Sequence, residues 1–371
     1  MGIRAIVTRP RPATVVSHPP ELVERPTAKV SVIIPCYNYA RFLPAAIDSA
    51  LSQVGIGVEV IVVNDASTDN SADVARSYAA RDARLTLIDH KTNTGHVVAY
   101  NDGFDVATGD YIVRLDADDV LTPRSLLRAV EVFSAFPEVG LVYGHPRHFT
   151  GEVPTHPRTR ARSWTVWSGE DWLAQRCRAG VNCITTPEAM IRGTIARKIG
   201  GLDLRLAFAQ DMEMWLRVAT VSDVARVNGA DQALHRDHES SMSVTVGAGV
   251  LRDLEERRRV FDVLFDGLGA DVNGASTLHD MARAALAREA LDRACRAYDR
   301  GRTATLPVDD YVAFAFAIYP LAAQLKEWRA FRRRRAIDPN LVPKLPPFVA
   351  RAIMRRLRDE TAHVYWRYTG T

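Results

Sequence analysis

From Val30 onward, short runs rich in Val and Ile alternate with longer stretches of helical spacing, and this alternation restricts the fold more than any other feature. The runs VSVIIP, VEVIVV, LTLIDH, YIVRLD and VGLVYGHPRHF each predict a strand. The stretches that separate them carry apolar residues three and four positions apart over ten or more residues, which is typical of helices. The alternation predicts an α/β fold, Rossmann-like, with a mostly parallel sheet and helices on both faces.

Polar clusters follow four of the five predicted strands. In chain order they are PCYNYAR, NDASTDNS, HKTNTG and DADD. Because ligands of open parallel sheets bind beyond the carboxyl ends of the strands, we expect these clusters to form one site.

The DADD cluster places Asp116, Asp118 and Asp119 within four positions of one another. Closely spaced carboxylates repel one another unless a hard divalent cation, which prefers oxygen ligands, lies between them. The alternative is a helix N-terminus, because Thr122 and Pro123 follow as a predicted cap and first helical residue. One cap accounts for one aspartate and not for three, so a metal site is favoured.

Several other classes of protein are disfavoured by what the sequence lacks. The four cysteines form no CxxC pair, which favours reduced, buried cysteines over disulfides or zinc ligands. The motifs GxxxxGK, GxSxG, HExxH and GxGxxG are absent where they would be expected, which disfavours ATPases, hydrolases, zinc proteases and dinucleotide oxidoreductases. The apolar run that starts at Tyr311 is too short to cross a bilayer and predicts a buried helix.

Three regions are expected along the chain. Residues 1–29 hold prolines and charges without the apolar core of a signal peptide, which predicts a flexible extension and a cytoplasmic protein. Residues 30–246 would form the α/β domain, with the basic segment 151–164 as a flexible loop over the site. Residues 247–371 predict a helical domain.

The tail carries most of the positive charge. Leu321–Thr371 holds 12 Lys or Arg and 4 Asp or Glu, a balance of +8, so the rest of the chain is −4 and the total is +4. The basic residues are interleaved with large apolar side chains, namely Trp328, Phe331, Phe348, Ile353, Met354, Trp366 and Tyr368. The arginines could form a solvated helical face or pair with acidic surfaces of the α/β domain. Alternatively, the tail makes peripheral contact with the inner face of an anionic membrane; nucleic acid is disfavoured.

Four motifs in this order resemble the family-two glycosyltransferases, which have the GT-A fold. They are the segments that begin at Val30, Glu59 and Asn93 and the motif QDMEMWLR, and the likeness extends to about Ser243. The resemblance implies an inverting enzyme with a Mn²⁺ or Mg²⁺ ion and a nucleotide-sugar donor, of which a UDP-sugar is favoured. It also implies an acceptor hydroxyl on a saccharide, a lipid-linked saccharide or a natural product, as in polysaccharide biosynthesis.

The resemblance also implies roles for individual residues. Asp65 would accept the imide hydrogen of a pyrimidine base, although Asn64 stands where the family has a first aspartate. The residues implied in nucleotide binding are Pro35, Tyr37, Asn38, Asn64, Asp65, Ser67, Asn93, Gly95, Asn101, Asp116 and Ala117. Those implied in metal binding are Asp116, Asp118, Asp119 and His238.

Asp211 corresponds to the general base of the family, which takes the proton of the acceptor hydroxyl. Gln210 replaces the usual glutamate before it, and His235 replaces a tyrosine in the segment HRDHESSMS. Four tryptophans could stack on an acceptor sugar or could belong to the core; they are Trp164, Trp167, Trp172 and Trp215.

Two other functions stay open at this point. A binding or scaffolding protein on the same fold would lack turnover, and Asn64 and Gln210 are the residues that favour it. A nucleotidyltransferase would use similar carboxylates and metal but would release pyrophosphate in place of a nucleoside diphosphate.

Overall fold

The computed structural model describes residues 13–17, 27–238 and 249–369 of the 371-residue chain, and for residues 359 and 362–369 it describes the backbone alone. The chain divides into two compact units. The first consists of residues 1–174, 184–204 and 214–237, and the second of residues 175–183, 205–213 and 238–371. Two short segments that the sequence analysis placed in the α/β domain therefore belong to the second unit.

The first unit is built on one sheet. Its strands are β1 (Thr14–Ser17), β2 (Lys29–Cys36), β3 (Gly57–Asn64), β4 (Leu85–Asp89), β5 (Tyr111–Arg114), β6 (Val120–Leu121), β7 (Val139–Phe149), β8 (Ser163–Trp167), β9 (Met190–Arg192) and β10 (Asp223–Arg236). The strand order is β1-β8-β10-β7-β9-β5-β2-β3-β4, and β6 pairs with β10. Strands β6, β8 and β9 run antiparallel to the others, so the sheet is mixed and mostly parallel.

The helices of the described residues follow the predicted alternation in the first half of the chain. They are α1 (Leu43–Leu51), α2 (Ser71–Ala79), α3 (His96–Val106), α4 (Ser125–Ala135), α5 (Gly169–Ala179), α6 (Gly193–Ile199), α7 (Gln210–Ala219), α8 (Val250–Asp266), α9 (Ala275–Asp299), α10 (Val308–Ile318), α11 (Lys326–Arg335) and α12 (Pro346–Thr369).

Both faces of the parallel half are covered because its strands carry apolar side chains on both sides. Val32 and Ile34 belong to the core shared with α1 and α4. Ile33 points the other way, and a Cβ added at Gly103 of α3 would lie 2.6 Å from its Cγ2. Successive residues of a strand face opposite sides, so an unbroken apolar run needs helices on both faces. The predicted fold class is confirmed.

The second unit is helical after residue 248, as the sequence predicts. This unit contains helices α8 to α12, and α9 contacts the other four. Ala and Leu dominate the buried positions of α9, such as Ala287, Ala290 and Leu291, which allow close helix packing. No helix among the described residues has the length and apolar character needed to span a bilayer.

The structure corrects two local predictions. Residues Thr14–Ser17, assigned to a flexible extension, pair with β8 as an edge strand. Thr122 does not cap α4, which begins at Ser125 after Arg124 in a left-handed conformation; its hydroxyl donates to the Asp231 carbonyl at 2.5 Å. The four cysteines are free and buried, as expected.

Candidate active site

The loops after β2 and β3 are tied together by side-chain hydrogen bonds. Asn38 has a φ of 61° and its Oδ1 accepts the backbone N–H of Thr68 at 2.7 Å. Its own N–H donates to Ser67 Oγ at 3.0 Å, and the Ala40 N–H donates to Asp69 Oδ2 at 3.0 Å. Two predicted nucleotide-binding residues, Asn38 and Ser67, therefore hold the loops in place, while Tyr37 beside them is 43% exposed.

Asp65 anchors the loop between β4 and α3. Its Oδ1 accepts the N–H and the hydroxyl of Thr94, both at 2.8 Å, and its Oδ2 accepts the N–H of Gly95 at 2.8 Å. His90 Nδ1 lies 2.9 Å from Oδ1. Burial alone would raise the pKa of Asp65, but the hydrogen bonds from His90, Thr94 and Gly95 outweigh it and lower this pKa. Asp65 is thus an ionised acceptor at neutral pH.

Three other predicted nucleotide residues also have structural partners. Asn64 donates to Asp89 Oδ1 at 2.8 Å, and Asn93 donates to the Asp65 carbonyl at 3.3 Å. Asn101 forms two hydrogen bonds with the backbone of Leu202, at 2.7 and 3.0 Å. Asn101 therefore joins α3 to the segment after α6.

The DADD cluster lies in the loop after β5, as predicted. Arg114 donates through Nε and Nη2 to Oδ1 of Asp116, at 3.0 and 2.9 Å. Asp116 and Asp118 are half-buried, whereas Ala117 between them is buried. Arg114 was given no role by the sequence analysis, although its position two residues before Asp116 on an extended segment was a usable signal.

The carboxylates of this loop suit a divalent cation. Burial raises the pKa of the Tyr39 hydroxyl, and the negative charges of Asp118, Asp116 and Asp119 raise it further. The negative potential of the cluster therefore extends to the loop after β2. Carboxylate oxygens are the ligands that Mn²⁺ and Mg²⁺ prefer, so the residues present fit such an ion.

Asp119 differs from its two neighbours because it is fully buried and already bonded. Its Oδ1 accepts the backbone N–H of Arg236 at 2.8 Å, and its Oδ2 lies 3.0 Å from His235 Nδ1. Burial alone would lower the pKa of His235, but Asp119 raises it to about 9. Asp119 therefore fixes the end of β10 against the loop after β5, a role that the metal prediction did not include.

Arg236 reinforces this junction and was missed by the sequence analysis. Its Nε donates to the carbonyl of Asp118 at 3.0 Å. Its guanidinium carbon lies 4.6 Å from the ring centre of Phe42 and 4.4 Å from that of Phe149. The basic residue inside HRDH was the available signal.

A second group of possible ligand residues lies near the end of β10. His148, His235 and Asp237 each offer one ligand atom, and these atoms lie within 4.8 Å of one another. His148 Nδ1 is 3.1 Å from Asp237 Oδ1. His238, the predicted ligand, is half-buried and is not one of the three. The serines of HRDHESSMS lie outside the described residues.

Asp211 lies in the first turn of α7, in a segment of the second unit. Asn182 Nδ2 donates to its Oδ2 at 3.0 Å. This hydrogen bond orients the carboxylate. A carboxylate held in a fixed orientation is able to accept a proton.

Of the two alternatives for the four tryptophans, the structure supports the core for all of them. Their exposed fractions are 2% for Trp164, 6% for Trp167, 1% for Trp172 and 3% for Trp215. These rings are core and cannot stack on a sugar in this conformation. Strand β8 begins at Ser163, so the irregular segment 151–164 ends in a strand.

The comparisons with known proteins agree with this architecture. Residues 31–199 match the family described as Glycosyl transferase family 2. This part of the chain is a family-two glycosyltransferase domain. An uncharacterized glycosyltransferase of Nostoc is 44% identical over 115 residues, which cover 31% of this chain and 36% of that protein. The match thus spans about a third of that relative's length.

The fold is shared with solved structures of other proteins, of which two are examples. Staphylococcus aureus TarS, residues 1–349 in complex with UDP, superimposes with a TM-score of 0.54 at 15% identity and covers 82% of this chain and 90% of that one. The mannosyltransferase PcManGT of Pyrobaculum calidifontis, in complex with GDP-Man and Mn²⁺, gives a TM-score of 0.53 at 22% identity, with 88% of each chain covered. The glycosyltransferase domain therefore has the GT-A fold.

Proposed function

We propose that this protein is an inverting, metal-dependent glycosyltransferase that moves a hexose from a UDP-sugar to an acceptor hydroxyl. The observation that carries the proposal is the position of Asp116 and Asp118 after β5. This strand neighbours β2, which neighbours β3. Loops after neighbouring parallel strands meet at one edge, where such sheets bind ligands.

The donor would be held by groups on these loops. The exposed ring of Tyr37 offers a face for the base, and Asp65 offers an acceptor for the imide hydrogen of uracil. TarS was solved with UDP, whereas PcManGT was solved with GDP-Man. Experiment must therefore test UDP against GDP.

Asp118, with Asp116, would hold the Mn²⁺ or Mg²⁺ ion, and His238 would complete its ligands. When bound, the ion supplies positive charge that stabilises the diphosphate leaving group. Asp211 would accept the proton of the acceptor hydroxyl as that oxygen attacks the anomeric carbon. Attack from the face opposite the leaving group inverts the configuration, so an α-linked donor gives a β-linked product.

The acceptor in this proposal is a saccharide, free or lipid-linked, used on the cytoplasmic side of a membrane. The support is the resemblance of the motifs to this family. A non-catalytic protein would bind the donor without turnover, and a nucleotidyltransferase would release pyrophosphate.

The proposal is tested by calorimetric titration with UDP and with GDP, each with and without Mn²⁺. We expect Mn²⁺-dependent UDP binding, weakened at least about tenfold in Asp118→Ala, or about 1.4 kcal/mol. Asp105→Ala, a change at an exposed carboxylate of α3, is the matched control and should bind as the wild type does. Wild-type protein that binds neither nucleotide would contradict the proposal.

The catalytic part is tested with Asp211→Asn, which keeps the shape of the side chain but removes the basic oxygen. Release of UDP in the presence of donor and acceptor should fall by about 10²- to 10⁴-fold, with UDP affinity unchanged. Turnover equal to that of the wild type would remove Asp211 from the mechanism.

A further inference from the structure

The described side chains of helix α12 that contact the rest of the second unit lie on one side of the helix. On that side Phe348 is buried beneath Arg334, whose guanidinium carbon lies 4.8 Å from the ring centre. Arg355, seven residues later on the same side, pairs with Asp292 at 3.3 Å and with Asp299 at 3.1 Å. These contacts fix which side of α12 faces its own unit.

The opposite side of α12 is apolar and exposed. Val349, Ile353 and Leu357 follow one another at four-residue intervals, with exposed fractions of 39%, 55% and 51%. Met354 beside them is 67% exposed. At about 100° per residue these side chains, with Ala350, cover a sector roughly 140° wide. We call this set the α12 stripe.

The aromatic side chains that the sequence analysis grouped with this tail do not contribute to the α12 stripe. Phe331 and Phe348 are buried. Trp328 is half-buried, with its ring 5.6 Å from Phe331 and 4.8 Å from Phe316. Trp366 and Tyr368 have side chains outside those described. The exposed apolar surface of the tail is therefore largely aliphatic.

Arginines border the α12 stripe on both sides. Arg351 and Arg358 lie at one border of the apolar sector, and Arg356 lies at the other. All three are exposed. Glu360 pairs with Arg356 at 3.0 Å, so the acidic residue on this face is offset by its neighbour. Further exposed cations of the tail lie on α11, namely Lys326, Arg329, Arg332, Arg333 and Arg335.

We propose that the α12 stripe binds the surface of a bilayer that contains anionic lipids. The helix would lie parallel to the surface, with Ile353 and Leu357 among the acyl chains and the bordering arginines on the lipid phosphates. An apolar sector bordered by cations is the arrangement that binds an anionic bilayer. A second copy of this chain would instead bring like-charged arginines together, and nucleic acid would leave the apolar side chains without a partner.

The proposal is independent of the proposed function, because vesicle binding requires neither nucleotide nor metal. The test is co-sedimentation of the full chain with vesicles of phosphatidylcholine, with or without about 30% phosphatidylglycerol. We expect binding to the anionic vesicles, weakened in about 0.5 M NaCl, where surface charges are screened.

The deciding variant is Ile353→Glu combined with Leu357→Glu, which should weaken vesicle binding about tenfold or more. Both positions are exposed, so the fold should be kept, and circular dichroism with thermal unfolding checks this. Val54→Glu, at a 60% exposed apolar residue in the loop before β3, is the matched control and should bind as the wild type does.

Three results would overturn the proposal. The first is wild-type protein that does not sediment with anionic vesicles. The second is a double variant that binds them as well as the wild type. The third is sedimentation velocity showing a wild-type dimer that the double variant abolishes, without vesicle binding, because the α12 stripe would then join two copies.

Discussion

Single residues of the candidate site combine structural and chemical roles, and Asp65 is the clearest case. Asp65→Asn replaces one acceptor oxygen with an NH₂ group that faces N–H donors of the β4–α3 loop. We expect the free energy of unfolding to fall by about 1–3 kcal/mol at pH 7 and UDP affinity to fall with it. Urea unfolding and calorimetry measure both quantities, with Asp105→Asn as the control.

The pH dependence of this variant follows from the lowered pKa of Asp65. A carboxyl whose pKa is lower in the folded state stabilises the fold above its unfolded pKa of about 3.9 and loses that contribution as the pH falls through the folded pKa. The difference in stability between wild type and Asp65→Asn should therefore shrink below about pH 4. A difference that grows in acid would contradict this account.

The sequence predicted where Asp116 and Asp118 lie, because strand ends can be located from the pattern of Val and Ile. It did not predict that Asn101 bonds to Leu202 or that Asp119 bonds to His235. The partners of the first contact are 101 positions apart in the sequence, and those of the second are 116 positions apart. Motif order identifies a site, but the partner of each polar atom depends on the tertiary structure.

At the scale of elements, strands with a local apolar pattern were predicted, whereas a strand that depends on tertiary partners was missed. β2 and β3 are apolar runs, whereas β10 contains buried polar residues such as Arg226, Asp231 and Gln232. Arg158 bonds to Asp231, and Arg128 donates to Gln232 Oε1 at 2.7 Å. Because these partners come from other elements, periodicity within β10 could not reveal it.

Packing between elements also reverses a rule of helix propensity at Gly103. In an isolated helix, alanine is more favourable than glycine by about 1 kcal/mol. In α3, the added Cβ would lie 2.6 Å from Ile33 Cγ2 and 3.0 Å from Val63 Cγ2. We expect Gly103→Ala to lower the free energy of unfolding by about 1–3 kcal/mol in urea. Asp105→Ala on the exposed side should change it by less than about 0.5 kcal/mol, and a stabilised Gly103→Ala would show that α3 can move away from the sheet.

At the scale of the whole molecule, the helical unit contains a buried ion pair of its own. Arg334 and Asp299 are 1% and 4% exposed and are joined at 2.7 and 3.0 Å. Asp299→Ala would leave Arg334 buried without this carboxylate. We expect this change to lower the free energy of unfolding by about 3–5 kcal/mol. Hydrogen exchange should accelerate in peptides of α9 and α11 and stay unchanged in those of β2 and β3.

The control for this prediction is Asp310→Ala, which removes an exposed carboxylate from the first turn of α10. Its effect should be within about 1 kcal/mol. If Asp299→Ala accelerated exchange equally throughout the chain, the two compact units would unfold as one.

The position of β10 between β7 and β8 has a consequence for synthesis of the chain. A ribosome releases β7 and β8 well before residues 223–236, so a nascent chain holds two strand edges without their common neighbour. Open edges of this kind pair readily with other chains. We therefore expect translation through β10 to be the interval in which this protein depends most on chaperones, and chains that terminate before Asp223 to aggregate.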